Sequence, residues 1–191
     1  YNQGEARTSQ EPCEAGYYCR GDGIKRVCPR GRYGSKVGES SPRCSGSCKE
    51  GYYCPEKSTS ATEHECGSIN LFCPPGSFAP QVVQEGYYTV PANNLPYDAL
   101  GDIHQAKERK CEPGYYCTGG VKALCEKGYW GVEFGLSNQY CNGPCEEGHY
   151  CPEGSTSPTE VKCGDASVYC PPGSWKPVEV MPGYYSTGGD H

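Results

Sequence analysis

The cysteines of this chain fall twice in one order. Cys13, Cys19, Cys28, Cys44, Cys48, Cys54, Cys66 and Cys73 recur as Cys111, Cys117, Cys125, Cys141, Cys145, Cys151, Cys163 and Cys170. The offset is 98 for the first two and 97 for the other six, so one residue is lost between Cys117 and Cys125. Other residues keep the register. Cys54-Pro-Glu-Lys-Ser-Thr-Ser answers Cys151-Pro-Glu-Gly-Ser-Thr-Ser, Cys73-Pro-Pro-Gly-Ser-Phe answers Cys170-Pro-Pro-Gly-Ser-Trp, and Gly86-Tyr87-Tyr88 answers Gly183-Tyr184-Tyr185. Self-similarity at a fixed period is the mark of a repeat architecture.

Composition decides what must hold such a repeat together. Leu, Ile, Val and Phe supply 22 of 191 residues, below the ~20% expected of a conventional core. Yet 17 Tyr, 16 Cys and a net charge of only −6 are unlike a disordered chain. Cross-links must therefore replace the missing core. An even cysteine count at regular spacing implies disulfides in an oxidising, extracellular or cell-surface compartment. Zinc is disfavoured, because the close pairs are C-x3-C and C-x5-C rather than knuckles, and the four His are scattered. The expected fold class is thus small, disulfide-rich and mostly irregular β: an elongated tandem array of cysteine-rich modules with no single hydrophobic core.

A shorter echo lies inside each repeat. Cys-x-x-Gly-Tyr-Tyr-Cys opens at Cys13, Cys48 and Cys111, and with His149 for the first Tyr at Cys145. The chain divides into a linker 1–12, a first repeat 13–88 with sub-modules 13–44 and 48–73 plus a Gly-Tyr-Tyr tail, and a spacer 89–110. A second repeat 111–185 with sub-modules 111–141 and 145–170 plus tail, and a linker 186–191, complete it. Gly-Tyr-Tyr-Cys favours extended chain. Pro-Pro-Gly, Pro-Glu-Gly and Asn142-Gly143 are turn signals. The spacer, with Pro91, Asn93, Asn94, Pro96 and Gly101, reads as hinge or loop, and Asp102–Lys110 has the composition for one or two helical turns. Eight cysteines allow 105 connectivities. The preferred set joins first to third and second to fourth: Cys13–Cys28, Cys19–Cys44, Cys48–Cys66, Cys54–Cys73, Cys111–Cys125, Cys117–Cys141, Cys145–Cys163 and Cys151–Cys170. It keeps loops near ~15–25 residues, each bridge contributing ~3 kcal/mol. The rival set pairs Cys28 with Cys44 and passes bridges across the spacers.

Cys28-Pro29-Arg30-Gly31-Arg32-Tyr33-Gly34, Cys73-Pro74-Pro75-Gly76-Ser77 and Cys170-Pro171-Pro172-Gly173-Ser174 resemble the ephrin-receptor-like cysteine-rich repeats, related to the tumour-necrosis-factor-receptor modules. The reiterated Gly-Tyr-Tyr looks most like tandem arrays of such repeats in algal and protist surface proteins. Cys125-Glu126-Lys127-Gly128 departs from the Cys-Pro start. The resemblance implies an elongated ectodomain and carries no catalytic residues.

No chemistry recurs with the repeat. His64, His104, His149 and His191 share no spacing, and the Ser-Thr-Ser runs at 58–60 and 155–157 lack converging His or Asp partners for a triad. The chain is not expected to be an enzyme, and no catalytic residue, metal or cofactor is expected. An EF-hand pattern is absent, and Gly21-Asp22-Gly23 has no echo in Thr118-Gly119-Gly120. Spread acidity argues against nucleic acid. The tyrosines read as rings packed over disulfides with their hydroxyls at the surface. Phe78, Trp175, Tyr87, Tyr88, Tyr184 and Tyr185 are the candidate contact aromatics, with neighbouring copies, head-to-tail or lateral, as partners and carbohydrate as another candidate. No Asn-x-Ser/Thr sequon exists. Ser40, Ser41, Ser58, Thr59, Ser155, Thr156, Ser157 and Thr159 are candidate O-glycosylation sites in Ser/Thr-Pro settings.

The expected role is structural: a repeat unit of an extracellular fibre, flagellar hair or cell-surface coat. The alternative is the ligand-binding or adhesive stalk of a receptor-like protein. The opening at Tyr1 without an apolar leader, and the lack of a membrane-spanning run, lead to the expectation that the chain is a piece of a longer one.

Overall fold

A computed structural model describes residues 9–92 and 104–188. Short strands and turns make up these residues, with no helix among them. Nine two-stranded sheets form from consecutive strands. β1 (Tyr17–Cys19) pairs with β2 (Lys25–Val27), β3 (Arg32–Tyr33) with β4 (Gly46–Ser47), and β5 (Tyr52–Tyr53) with β6 (His64–Glu65). β7 (Leu71–Phe72) pairs with β8 (Gln81–Val82), and β9 (Tyr87–Pro91) with β10 (Gln105–Lys110). β11 (Tyr115–Thr118) pairs with β12 (Val121–Leu124), and β13 (Tyr129–Trp130) with β14 (Gly143–Pro144). β15 (His149–Tyr150) pairs with β16 (Val161–Lys162), and β17 (Val168–Tyr169) with β18 (Val178–Glu179). The fold is a small cysteine-rich β fold, as the composition requires.

A four-residue turn leads into most of the first strands. Its first carbonyl accepts the amide of its fourth residue: Tyr17 to Glu14 at 3.1 Å, Tyr52 to Lys49 at 3.1 Å, Tyr129 to Glu126 at 3.0 Å. The Pro171–Ser174 turn, which opens no strand, closes in the same way at 3.1 Å. The third residue has φ near +80°, as at Gly16, Gly51, Gly128 and Gly173. These are type II turns, which explains Pro in second place at Pro75, Pro113, Pro172 and Pro182. Cys125-Glu126-Lys127-Gly128 therefore keeps the turn although it lacks the Cys-Pro start.

Each bridge spans consecutive cysteines. The pairs are Cys13–Cys19, Cys28–Cys44, Cys48–Cys54, Cys66–Cys73, Cys111–Cys117, Cys125–Cys141, Cys145–Cys151 and Cys163–Cys170, and no cysteine is free. This overturns the first-with-third and second-with-fourth pairing: Cys13–Cys28, Cys19–Cys44, Cys48–Cys66, Cys54–Cys73 and their four counterparts Cys111–Cys125, Cys117–Cys141, Cys145–Cys163 and Cys151–Cys170 do not form. The Cys28–Cys44 bridge of the rival set is present, without bridges across the spacers. The turn is the physical reason. It folds Glu14–Tyr17 back on itself and brings Cys13 within 6.0 Å (Cα to Cα) of Cys19, six residues away. Loops this short restrict the unfolded chain less, so each is worth about 2–3 kcal/mol.

The cysteines are also the interior. Twelve of the sixteen are buried, and the other buried apolar side chains, among those described, are Tyr18, Phe72, Val83, Val90, Pro91 and Ala106.

The chain divides into two compact units that cut across the sequence repeats: Tyr1–Gly67 with Cys73–Gln81 and Pro91–Ala106, and Ser68–Phe72 with Val82–Val90 and Lys107–His191. Residues 68–72 and 82–88, placed in the first repeat by sequence, thus belong to the second unit, together with residues 89 and 90 of the spacer. Their bonds say why: the Gly86 amide donates to the Cys117 carbonyl (3.1 Å), the Gly86 carbonyl accepts from Cys111 (2.9 Å), and Thr89 donates to Gly120 (3.1 Å).

Inside each unit, turns are bonded to turns through the backbone. In the first, Gly31 donates to Cys54 (2.8 Å) and accepts from Cys48 (3.0 Å), Gly76 donates to Cys48 (2.9 Å), and Cys54 donates to Ser77 (2.9 Å). In the second, the residues 97 further on do the same: Gly128 to Cys151 (2.8 Å), Cys145 to Gly128 (2.9 Å), Gly173 to Cys145 (2.8 Å) and Cys151 to Ser174 (2.9 Å). These bonds satisfy buried backbone groups that a short strand leaves unpaired.

Spacer 89–110 is strand at both described ends. β9 and β10 replace the expected loop, and β10 replaces the helical turn expected at Asp102–Lys110, of which residues 102 and 103 lie outside the described residues. Gln105 and Ala106 are buried, and the Gln105 carbonyl accepts the Cys73 amide at 2.8 Å. Tertiary backbone demand here outweighs a weak local helix preference. Asn93, Asn94, Pro96 and Gly101 lie outside the described residues, as do parts of both expected linkers.

The closeness of stacked turns yields a measurable consequence. A Cβ at Gly31 would collide with the Gly76 carbonyl, whereas one at Gly21, of similar φ (+87° against +80°), meets nothing within 4 Å among the described residues. Both pay the left-handed strain of about 1–2 kcal/mol. Gly31→Ala should therefore lose at least about 2 kcal/mol more than Gly21→Ala in non-reducing denaturant melts. Equal losses would mean that the turns are not in contact.

Candidate contact surface

The stacked turns set where the large aromatics stand. Gly31 against Gly76 brings Arg30 over Phe78, its guanidinium carbon 5.3 Å from the ring centre. Gly128 against Gly173 brings Lys127 over Trp175, with Nζ 4.3 Å from the ring centre, and Lys176 adds a second ammonium at 4.7 Å. Phe78 is 52% and Trp175 45% exposed. Arg30 and Lys127 hold equivalent positions, so each unit presents an aromatic ring capped by a cation, a contact worth about 0.5–1 kcal/mol at an exposed site. The sequence reading picked the rings and missed the cations. The signal was available, since Cys28-Pro-Arg-Gly and Cys125-Glu-Lys-Gly share a cation in one register.

The other tyrosines are mostly half-buried, and their visible partners are cations and rings. Lys25 Nζ sits 4.3 Å from the Tyr17 ring centre and Lys122 Nζ 4.0 Å from that of Tyr115. Tyr52 meets His104 at 4.6 Å, Tyr53 stacks on His64 at 5.1 Å, and Tyr129 meets Tyr140 at 4.8 Å. His104 also lies 3.5 Å from the Glu65 carboxylate. These histidines are thus packed against tyrosine. His149 Nδ1 lies 3.3 Å from the Glu147 carbonyl. His191 is outside the described residues.

Charged pairs recur too. Lys25 and Glu14 are 2.9 Å apart, and Lys122 and Glu112 2.7 Å. Burial works against the Glu112 charge, but the Lys122 ammonium and the Tyr88 hydroxyl, donating at 3.1 Å, outweigh it and hold its carboxyl below the usual range. Asp22, the one-sided acid of Gly21-Asp22-Gly23, is taken up by Arg26 through two bonds of 2.9 and 2.7 Å, which with the Ile24 amide lower its pKa to about 2.

Tyr87 and Tyr88 are half-buried beside the second unit's first hairpin, while Tyr184 and Tyr185 are 74% and 84% exposed. The six candidate contact aromatics are therefore not equivalent: two are covered, two are cation-capped and two stand open.

The candidate O-glycosylation sites also divide. Ser58 and Ser155 are buried, and each Oγ donates to a carbonyl three residues back, Pro55 at 2.8 Å and Pro152 at 2.7 Å. A glycan at either is incompatible with the fold, which corrects their candidacy. Thr59 and Thr156 are exposed, as are Ser40 and Thr159, with Ser41 and Ser157 half-buried. These segments are no loose stalk. The Glu63 carboxylate accepts the Thr59 and Ser60 amides at 3.1 and 3.0 Å, and Glu160 accepts those of Thr156 and Ser157 at 3.0 and 2.9 Å. Peptide mapping of native material should find Ser58 and Ser155 bare, and Ser58→Ala should cost about 1 kcal/mol. A glycan on Ser58 in folded protein would contradict the turn geometry.

No protein-family model matches the chain. It is similar to protein 30 of the white-brown complex homologues of Arabidopsis thaliana, 25% identical over 158 residues. That stretch is 76% of this chain and 12% of the plant protein, so the chain spans about an eighth of that relative's length.

Proposed function

We propose that the chain is a structural segment of an extracellular fibre, flagellar hair or cell-surface coat, built as a tandem array of disulfide-clamped modules. Eight disulfides with no free cysteine belong to an oxidising compartment, and no helix among the described residues is long and apolar enough to cross a membrane. The observation that carries the reading is the recurrence of both framework and surface. Residues 97 apart make the same turn-to-turn bonds and present the same capped aromatic, Phe78 under Arg30 and Trp175 under Lys127. A module that bonds to its neighbour through the backbone extends by repetition. Its repeated outer face then offers repeated lateral or end-to-end contacts. Resemblance to the ephrin-receptor-like repeats supports the module type. The same module also suits the stalk of a receptor or adhesin, where the aromatic–cation face would hold a ligand or a carbohydrate.

Electron microscopy of native, unreduced material separates the two. The fibre reading expects filaments whose axial period matches one or two of the 97-residue repeats. Isolated particles anchored at a membrane would move the assignment to the stalk.

A further inference from the structure

The second unit contains a contact that is made once and prepared twice. Around Gly86-Tyr87-Tyr88, the Gly86 amide and carbonyl bond Cys117 and Cys111, the Tyr88 hydroxyl donates to Glu112, and Lys122 Nζ lies 5.2 Å from the Tyr88 ring centre. The fit is close enough that a Cβ on Gly86 would strike the Gly135 carbonyl.

Ninety-seven residues on, the same segment is shaped alike. Tyr184 donates to Met181 at 3.1 Å, as Tyr87 does to Gln84 at 3.1 Å. Val180 donates to Ser167 at 2.9 Å, as Val83 does to Asn70 at 2.9 Å. Ser186 Oγ donates to the Ala166 carbonyl at 2.8 Å, as Thr89 Oγ1 does to Ile69 at 2.6 Å. Gly183 has φ +89°, against +79° at Gly86. Only the covering side differs: among the described residues, nothing lies within 4 Å of a Cβ placed on Gly183, and Tyr184 and Tyr185 are the most exposed large hydrophobic side chains.

The matching cover lies in the first unit. Cys13, Cys19, Glu14, Lys25 and Gly38 correspond to Cys111, Cys117, Glu112, Lys122 and Gly135. They are held alike. Gly38 donates to Cys13 at 2.7 Å, as Gly135 does to Cys111 at 2.9 Å, and Cys19 donates to Glu39 at 2.9 Å, as Cys117 does to Leu136 at 2.8 Å. Lys25 pairs with Glu14 as Lys122 pairs with Glu112. Glu14 and Lys25 are exposed, and a Cβ on Gly38 meets nothing within 4 Å among the described residues.

The geometry points to the Gly183-Tyr184-Tyr185 turn of one copy docking on the Cys13–Gly38 face of a second copy, with the Tyr185 hydroxyl on Glu14 and Lys25 over the Tyr185 ring. Two different surfaces meet, so the contact is heterologous, head to tail, and leaves both ends open for growth. It rests on the fibre reading and supplies that reading's end-to-end contact.

Sedimentation of the oxidised 191-residue chain tests it. The parent should gain mass with concentration without stopping at a dimer. Tyr185→Glu places a carboxylate against Glu14, and Lys25→Glu removes the cation. Each exposed change should weaken association at least about tenfold, with all eight bridges and the circular dichroism unchanged. Mixed in equal amounts, the two variants retain one good tail and one good head, and should form a 1:1 dimer that grows no further. A parent that stays monomeric, a closed symmetric dimer, or variants that assemble like the parent would each overturn the contact. Filaments in native material alongside a monomeric parent would remove this contact and leave the fibre reading standing.

Discussion

Gly31 donates to Cys54, accepts from Cys48 and rests against the Gly76 carbonyl with no room for a Cβ, and Gly128 repeats all of this with Cys151, Cys145 and Gly173. This backbone-on-backbone approach of one turn to the next is what the described fold depends on. Strands of two to six residues cannot bury enough side chain to hold a sheet. The turns instead satisfy one another's amides, and the glycines make the approach close enough to do so. From this contact follow the positions of Arg30 over Phe78 and Lys127 over Trp175.

Disulfides and turns divide the labour. Each bridge closes only 6, 7 or 16 residues of sequence, so it stabilises a local loop and joins no distant parts of the chain. Long-range order in each unit must come from the turn-to-turn bonds. Lys57 shows how strongly the turn is imposed: it holds φ +69° at the position where the second copy has Gly154 at +79°. Its ammonium lies 5.2 Å from the Tyr17 ring centre and is raised in pKa by its bond to that phenol.

Class, cross-linking and turns were legible in the sequence because each is local: cysteine count, weak apolar content and Pro-Pro-Gly-Ser need no partner to be read. The disulfide pairing was not. Loop length alone does not choose among the pairings; the reversal made by Glu14–Tyr17, which brings Cys13 to Cys19, does. β10 was missed because Asp102–Lys110 carries no strand signal of its own; Gln105 is extended because Cys73 needs its carbonyl. The candidate aromatics were found as single residues, while the cations common to both units, Arg30 and Lys127, lie 48 residues earlier and meet them through stacked turns. Ser58 and Ser155 looked like surface glycan acceptors from composition, yet the turn buries each hydroxyl against a proline carbonyl.

If short bridges clamp the turns and the backbone joins them, the connectivity is the quantity to measure. Proteolysis of native, unreduced protein with chymotrypsin and trypsin, followed by mass spectrometry of the linked peptides, reads it directly. The account predicts Cys13 linked to Cys19, Cys28 to Cys44, Cys48 to Cys54 and Cys66 to Cys73, with the same order from Cys111 to Cys170. A peptide joining Cys13 to Cys28, or Cys54 to Cys73, would contradict it, because no turn of the observed kind closes between those residues.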